Sequence, residues 1–396
     1  MDFKEIRSVR SLFPALQNSV YLESASTGLV PEYVYQVVND YQNSRYLTGG
    51  DSFWGPDQID SIRMIEHSKQ VLSHMMNCDA TEITFGSNTS DILSYFTSNV
   101  VIPGGSNVVI PENLFLSGKY LWQIREEEGL EIRYVPVRDG RIDEEELLEM
   151  TDENTLAVHI DLVCSGTGYR IDAERIGEYC RTHGIWFIVD AAQGLGALRV
   201  DSKALNADLI AGNNYKWMQG YCGCGFGYIR KEMQDALKQR AAGWMSDQYR
   251  FIQDSDRIQL RSDAERFVLG YPNVAGIYAL SCVAEKYLEL GGEKIERYLL
   301  HLRSYLEEQL KAVPDVKIKY DFAEKNRSQI IYLDVFTDEP LTHEKLRKEG
   351  VSCDVHKTDV KNETELRIGF HYYNNEEDVD RMIAILQKVM GGKGNE

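Results

Sequence analysis

The sequence predicts an α/β protein: a large domain built on a mostly parallel, seven-stranded sheet, followed by a smaller α+β domain. Two patterns and the length lead there. Between about residues 57 and 230, short apolar runs bounded by turn residues alternate with stretches of helical periodicity, as expected of strand–helix units in a sheet covered on both faces. Beyond Gly270-Tyr271-Pro272-Asn273 the alternation gives way to two long helical patterns and then to mixed strands and helices. The 396 residues are ample for one large core and a second, smaller one.

Taken in order, the runs 82–85, 107–110, 131–135, 156–160, 186–189, 208–211 and 225–229 read as strands of the large sheet. The clearest helix between them spans 172–183, opening at an Asp cap and stopping at Gly184. After residue 273 a helical pattern runs to Gly291-Gly292, and a second follows over 293–312. Strands at 316–320 and 329–335, a helix at 342–350, a strand at 365–369 and a helix at 376–390 complete the chain. This places the large domain at 15–290 and the small one at 291–396, with 1–14 packing on the latter. No repeat or low-complexity linker marks the boundary.

Charge narrows the function. With 43 basic against 62 acidic residues the net charge is −19, which argues against nucleic acid or an anionic membrane as the main partner. The N-terminus, Met1-Asp2-Phe3-Lys4-Glu5, lacks a signal peptide's basic and apolar regions. No stretch approaches the roughly 18 apolar residues of a membrane span. A cytoplasmic protein is expected. Seven scattered cysteines do not form a disulfide framework. The one close pair, Cys222-Gly223-Cys224, offers two ligands where a structural zinc usually takes four, so no metal is expected.

Ligands of open parallel sheets gather beyond the carboxyl ends of the strands, so polar residues that close apolar runs are the candidates. Asp190 closes the run 186–189, in Asp190-Ala191-Ala192-Gln193, and Lys216 follows 208–211, in Asn213-Asn214-Tyr215-Lys216-Trp217. Taken singly, the aspartate reads equally as a turn or helix cap and the lysine as a solvated charge. Together they are what pyridoxal 5'-phosphate requires. The amine forms a Schiff base with the cofactor aldehyde, and the carboxylate keeps the pyridine nitrogen protonated so that the ring accepts electrons. Tyr215 and Trp217 give Lys216 an apolar setting that lowers its pKa. Gln193 is placed to donate to the phenolic oxygen. The turn Gly86-Ser87-Asn88-Thr89-Ser90-Asp91, between a strand and a helix, is a phosphate site or an ordinary N-cap. Asn213 and Tyr215 add polar groups for the same phosphate.

In order and over nearly the whole chain, these residues resemble the class V aminotransferase and cysteine desulfurase family of fold-type I pyridoxal phosphate enzymes. The likeness begins with Tyr21-Leu22-Glu23-Ser24-Ala25-Ser26-Thr27-Gly28 and passes through Thr89-Ser90-Asp91 and Ser165-Gly166-Thr167-Gly168. Asp190, Gln193, Lys216 and Gly223-Cys224-Gly225-Phe226 follow, then Arg266-Phe267-Val268-Leu269-Gly270-Tyr271-Pro272-Asn273 and Leu366-Arg367-Ile368-Gly369. The resemblance implies that Lys216 carries the cofactor, Asp190 pairs with its ring nitrogen, and Gln193 contacts its phenolic oxygen. Thr89, Ser90, Asn213 and Tyr215 hold the phosphate. Ser165 stands where many relatives carry Asn beside the ring. Phe115 stands where desulfurases commonly have a stacked His, although an ordinary core aromatic is the equal reading. Arg367 clamps the substrate carboxylate by its planar fork, against the alternative of a surface ion pair. Ser26 and its neighbours in 24–28, with 51–54, contact the substrate. The family's members are homodimers that share active sites, which makes Trp244 and Tyr271 candidates to reach a neighbour's cofactor.

Lysine, ring and clamp make a Cα carbanion accessible without fixing its fate. The leading expectation is an aminotransferase acting on a small amino acid, since it needs no further nucleophile. The alternative is a cysteine desulfurase or carbon–sulfur lyase using Cys353, with amino-acid epimerisation beside it. Desulfuration by a thiolate requires a mobile cysteine. Cys353, however, reads as the end of a strand and a buried small hydrophobe, with 354–359 a shortened loop after it. A cofactor-binding protein without turnover is the remaining class, disfavoured by the presence of both Asp190 and Lys216.

Overall fold

The computed structural model describes residues 3–49, 58–249, 257–360 and 362–390. At its centre lies a seven-stranded sheet. Its strands in chain order are β1 (Ile83–Gly86), β2 (Asn107–Pro111), β3 (Glu131–Val135), β4 (Thr155–Asp161), β5 (Trp186–Asp190), β6 (Leu209–Asn213) and β7 (Gly225–Ile229). Side by side they run β1-β7-β6-β5-β4-β2-β3. Strand β7 is antiparallel to both neighbours and every other adjacent pair is parallel. Every residue of β2, β6 and β7 is buried, which explains why these runs lack the polar alternation of a half-exposed sheet. The predicted α/β class and mostly parallel seven-stranded sheet are therefore present, in the fold-type I arrangement.

All the predicted strands of this sheet form, with ends displaced by a residue or two, and the displacements matter. Strands β4, β5 and β6 each run on to a polar residue, Asp161, Asp190 and Asn213, so these side chains sit on rigid strand ends and not in loops. The chain leaves β3 at one edge and re-enters the interior at β4, reversing its direction of travel beside β2. A crevice at such a reversal is where open sheets bind ligands.

The helix predicted at 172–183 forms as Ala173–His183, with the Asp172 carboxylate accepting from the Arg175 N–H and Gly184 ending it at φ 70°. Two long helices, Val274–Leu290 and Gly292–Leu310, lead to a four-stranded antiparallel sheet. This sheet consists of β8 (Val316–Ile318), β9 (Ile330–Phe336), β10 (Asp354–Lys357) and β11 (Glu363–Gly369), ordered β8-β9-β11-β10. Strand β10 corrects the sequence reading, which took 354–359 as a loop. Its Asp, His and Lys residues hide it, but an edge strand has only one partner and tolerates such charge.

The N-terminal segment ties the layers together. Val20–Tyr21 pairs in parallel with Val351–Ser352, and Gly369 donates its N–H to the Leu22 carbonyl at 2.9 Å. Ahead of it, the Phe3 ring lies 4.9 Å from that of Tyr298, and Arg10 pairs with Asp378 at 2.7 Å. Among the described residues, no helix is long and apolar enough to cross a membrane.

Buried Arg303, on the helix Gly292–Leu310, closes the entry to β9 by donating to the carbonyls of Ser328 (3.1 Å) and Ile330 (2.9 Å) and pairing with Glu307. Two residues of that entry reach the connections that follow β4 and β5: Ser328 Oγ donates to the Gly168 carbonyl at 2.7 Å, and Gln329 Nε2 to the Gln193 carbonyl at 2.6 Å. Arg303→Leu is expected to cost about 2–3 kcal/mol by orphaning these carbonyls. Circular dichroism on heating should read this as a melting point lowered by several degrees; an unchanged midpoint would contradict the bracing role.

Candidate active site

Two carboxyls lie side by side at the floor of the crevice. Asp190 ends β5, Asp161 ends β4, and the strand register sets them opposite each other. Asp190 Oδ1 accepts the Ala192 N–H at 2.8 Å, and Asp161 Oδ2 accepts the Phe115 N–H at 3.0 Å. Burial raises the pKa of Asp190, partly countered by the Ala192 N–H and by Lys216. Burial and the neighbouring Asp190 carboxyl raise Asp161 well above the ordinary carboxylate range. Asp161 was missed from sequence, although it closes its apolar run just as Asp190 does.

Lys216 lies between β6 and β7, opposite these acids. Burial lowers its pKa, with the two carboxyls opposing that shift and Arg367 adding to it. Its Nζ stands 5.8 Å from the Phe115 ring centroid and 5.9 Å from that of Tyr215. Among the described residues it makes no hydrogen bond or ion pair, so the amine is buried yet uncommitted. The loop 24–28 lies directly on this segment: Gly28 donates its N–H to the Tyr215 carbonyl at 2.8 Å. A Cβ on Gly28 would come within 1.9 Å of the Lys216 carbonyl oxygen, which only glycine avoids.

Gln193 is held in one orientation. Its Nε2 donates to the Ala25 carbonyl at 2.9 Å, and its Oε1 accepts from Trp217 Nε1 at 2.8 Å. Indole only donates and a carbonyl only accepts, so the amide cannot flip without losing both bonds. One amide hydrogen remains to face the cavity.

Across the crevice, the helix Thr89–Thr97 begins at Asn88, whose side chain accepts from the Asp91 N–H at 3.0 Å. Thr89 Oγ1 accepts from Asn213 Nδ2 at 3.1 Å, and Ser90 donates to Ser117 at 2.7 Å. The Asn213 Oδ1 is buried with no partner. Gly225 lets β7 pass the Asn88 backbone, which a Cβ would approach to 2.5 Å. These groups enclose a cavity of about 380 Å³ whose lining includes Thr89, Ser90, Phe115, Asp161, Ser165, Asp190, Gln193, Asn213, Tyr215 and Lys216. Ser117, also on the lining, was likewise missed; it lies on a short helix that begins just after Phe115.

The rim carries Arg367, from β11. Its Nη1 donates to the Ser165 carbonyl at 3.2 Å and its Nη2 to Ser26 Oγ. The sequence candidates for substrate contact thus meet beside the cavity. Trp244 and Tyr271 stand apart from its lining, 41% and 38% exposed, with the Tyr271 hydroxyl donating to Ser61 Oγ at 3.2 Å. Residues 51–54 lie outside the described residues. Cys353 is 1% exposed, between Val351–Ser352 and β10, and burial raises its thiol pKa far above the ordinary range. Among the described residues, no cluster of three His, Cys, Asp or Glu suits a metal ion.

The residues fit a phosphorylated pyridine aldehyde. The uncommitted buried amine would meet the aldehyde, the floor carboxyl a protonated ring nitrogen, the remaining Gln193 N–H a phenolic oxygen, and the helix N-terminus with Thr89 and Ser90 an anion.

Comparison with known proteins agrees with this architecture. The sequence is 23% identical to a probable cysteine desulfurase of Methanothermobacter thermautotrophicus, over 99% of this chain and 100% of the relative. Among solved structures, the apo cysteine desulfurase of Thermococcus onnurineus NA1 superposes with a TM-score of 0.84 at 23% identity, covering 99% of both chains. The cystine C–S lyase C-DES, in complex with its product cysteine persulfide, does so with a TM-score of 0.84 at 20% identity, over 94% of this chain and 98% of that one. At such identities the structures establish a shared fold. The sequence model of the family described as aminotransferase class-V matches residues 20–382, and the chain belongs to that family.

Proposed function

We propose that this chain is a pyridoxal 5'-phosphate enzyme that breaks the Cβ–sulfur bond of a cysteine-like amino acid by elimination. The observation that carries the cofactor assignment is the buried, uncommitted amine of Lys216 facing the floor carboxyl of Asp190. Bound here, pyridoxal phosphate supplies an aldehyde for the substrate amine and a protonated ring that accepts electrons from the Cα–H bond. The chain's own residues do the rest. Asp190 keeps the ring nitrogen protonated and Gln193 donates to the phenolic oxygen. Thr89, Ser90, Asn213 and Tyr215 hold the phosphate, and Phe115 and Ser165 flank the ring. Arg367 and Ser26 orient the substrate carboxylate, which turns the Cα–H bond toward Lys216. The lysine amine, whose pKa burial lowers, takes that proton; the released pair forms the Cα–Cβ double bond and the sulfur leaves with the electrons of the broken Cβ–S bond.

The names of the relatives favour sulfur chemistry over the transamination expected first from the sequence. Elimination is preferred to a persulfide mechanism because Cys353 is buried between two short strands, where burial pushes its thiol pKa up, whereas a nucleophile on the substrate sulfur must be an exposed thiolate. Transamination remains the second reading, supported by the same lysine and by the family description. We further infer a homodimer with shared sites: Trp244 and Tyr271 are exposed aromatics outside this chain's own cavity, suited to a neighbour's.

Three outcomes follow from this reading. Purified protein should be yellow, lose its visible band on borohydride treatment, and become colourless as Lys216→Ala; a variant spectrum matching the wild type would remove the cofactor assignment. Incubated with cysteine or cystine, the wild type should release reduced sulfur together with pyruvate, and Cys353→Ser should keep at least about half that rate, within the range of a volume-conserving core change. Loss of sulfur release in a folded Cys353→Ser protein would instead restore the persulfide mechanism, while keto acid formed with conversion of the cofactor to its amine form and no sulfur release would favour transamination. Arg367→Lys is expected to raise KM about tenfold or more by losing the planar guanidinium that Asp354, Ser26 and the Ser165 carbonyl hold in place at the rim; an unchanged KM would remove the clamp.

A further inference from the structure

The carboxylate clamp is already engaged from within the chain. Asp354, on β10, stands directly opposite Arg367 on β11. Its Oδ2 accepts from Arg367 Nε at 3.0 Å and from Nη2 at 2.8 Å. Its Oδ1 accepts from Ser26 Oγ at 2.9 Å, and Ser26 accepts in turn from Arg367. Nη1 is committed to the Ser165 carbonyl at 3.2 Å. The side chains are 13% and 16% exposed, so water screens this pair only in part.

The charge balance around the site has a consequence for the substrate. Among the described residues, Lys216 is the one cation on the cavity lining, and it faces two carboxyls; Arg367, on the rim, is matched by Asp354. An amino acid brings its own ammonium to offset its α-carboxylate. A second carboxylate on the side chain would enter a space where Lys216 already faces two carboxyls and Arg367 is paired, next to the negative charge of Asp354. Nothing of this was legible in the sequence, where Asp354 read as a loop residue.

We propose that Asp354 is a specificity-determining residue that restricts the enzyme to amino acids whose side chains carry no net negative charge, excluding dicarboxylic and sulfinic substrates. This inference rests on the reading of Arg367 as the carboxylate clamp. Cysteine, neutral at its side chain, and cystine, whose distal end is a zwitterion, both satisfy it; aspartate, glutamate and cysteine sulfinate do not.

The test uses the loaded enzyme and two unreactive acids that differ by one carboxylate, propionate and succinate, with binding measured by calorimetry near neutral pH. Wild type should bind succinate more weakly by threefold or more, with about tenfold expected for an unmatched like charge at this range. Asp354→Asn keeps the shape and removes the charge, and should shrink that ratio at least threefold. A wild-type ratio below threefold, a smaller change in the variant, or no binding of propionate overturns the proposal. Asp354→Ser replaces the Asn variant if the latter does not fold, and the wild-type ratio decides alone if neither folds. A colourless protein without a borohydride-sensitive band refutes the cofactor reading instead, whereas a yellow protein that fails the ratio refutes only the role of Asp354.

Discussion

The structure turns on one electrostatic constraint: a lysine and two carboxyls are withdrawn from water into the same crevice. Each group alone would pay heavily for leaving water, and the penalty appears as a lowered Lys216 and raised Asp161 and Asp190. A protein held together for stability alone has no reason to assemble such a set, since apolar residues of the same volume pack as well or better. The sheet supplies the rigidity that keeps the groups from escaping. Both acids are the last residues of buried parallel strands, pinned by the backbone N–H groups of Ala192 and Phe115.

The rim is built differently. Arg367 and Asp354 come from the small antiparallel sheet, Ser165 from the turn after β4, and Ser26 from the N-terminal segment, so the clamp joins three separate parts of the chain. Buried bonds keep those parts in register: Gln329 and Ser328 tie the entry of β9 to the Gln193 and Gly168 carbonyls, and Arg303 braces that entry from behind. The floor that holds the acids thus depends on strand pairing, while the rim depends on a few polar contacts between bodies.

This difference also explains what could be read from the sequence. Asp190 and Lys216 were legible because each is polar where an apolar run ends, and because they have a shared chemical meaning that either lacks alone. Asp161 sends the same local signal but has no second residue in the sequence to give it meaning; its importance is a matter of strand order, which places β4 beside β5. Asp354 was missed for the opposite reason, since its edge strand carries the polar composition of a loop. The bond from Trp217 to Gln193 joins residues well separated in the chain, and no periodicity reports it. Fold class followed from hydrophobic pattern, whereas the orientation of side chains around the cofactor cavity followed from tertiary contact.

The placement of Gly28 bears on how the molecule moves. Leu22 and Glu23 are bridged to the small sheet at Gly369, while five residues on, Gly28 is pressed against the backbone of Tyr215 and Lys216, between β6 and β7 of the large one. Ser26 sits between these two anchorages. A hinge rotation of one sheet against the other cannot leave this span relaxed; it must be taken up as torsion within 24–28, close to where Ser26 touches Arg367. The segment would therefore act as a strain gauge under such a rotation, since the residue that touches the carboxylate clamp lies between its two anchorages.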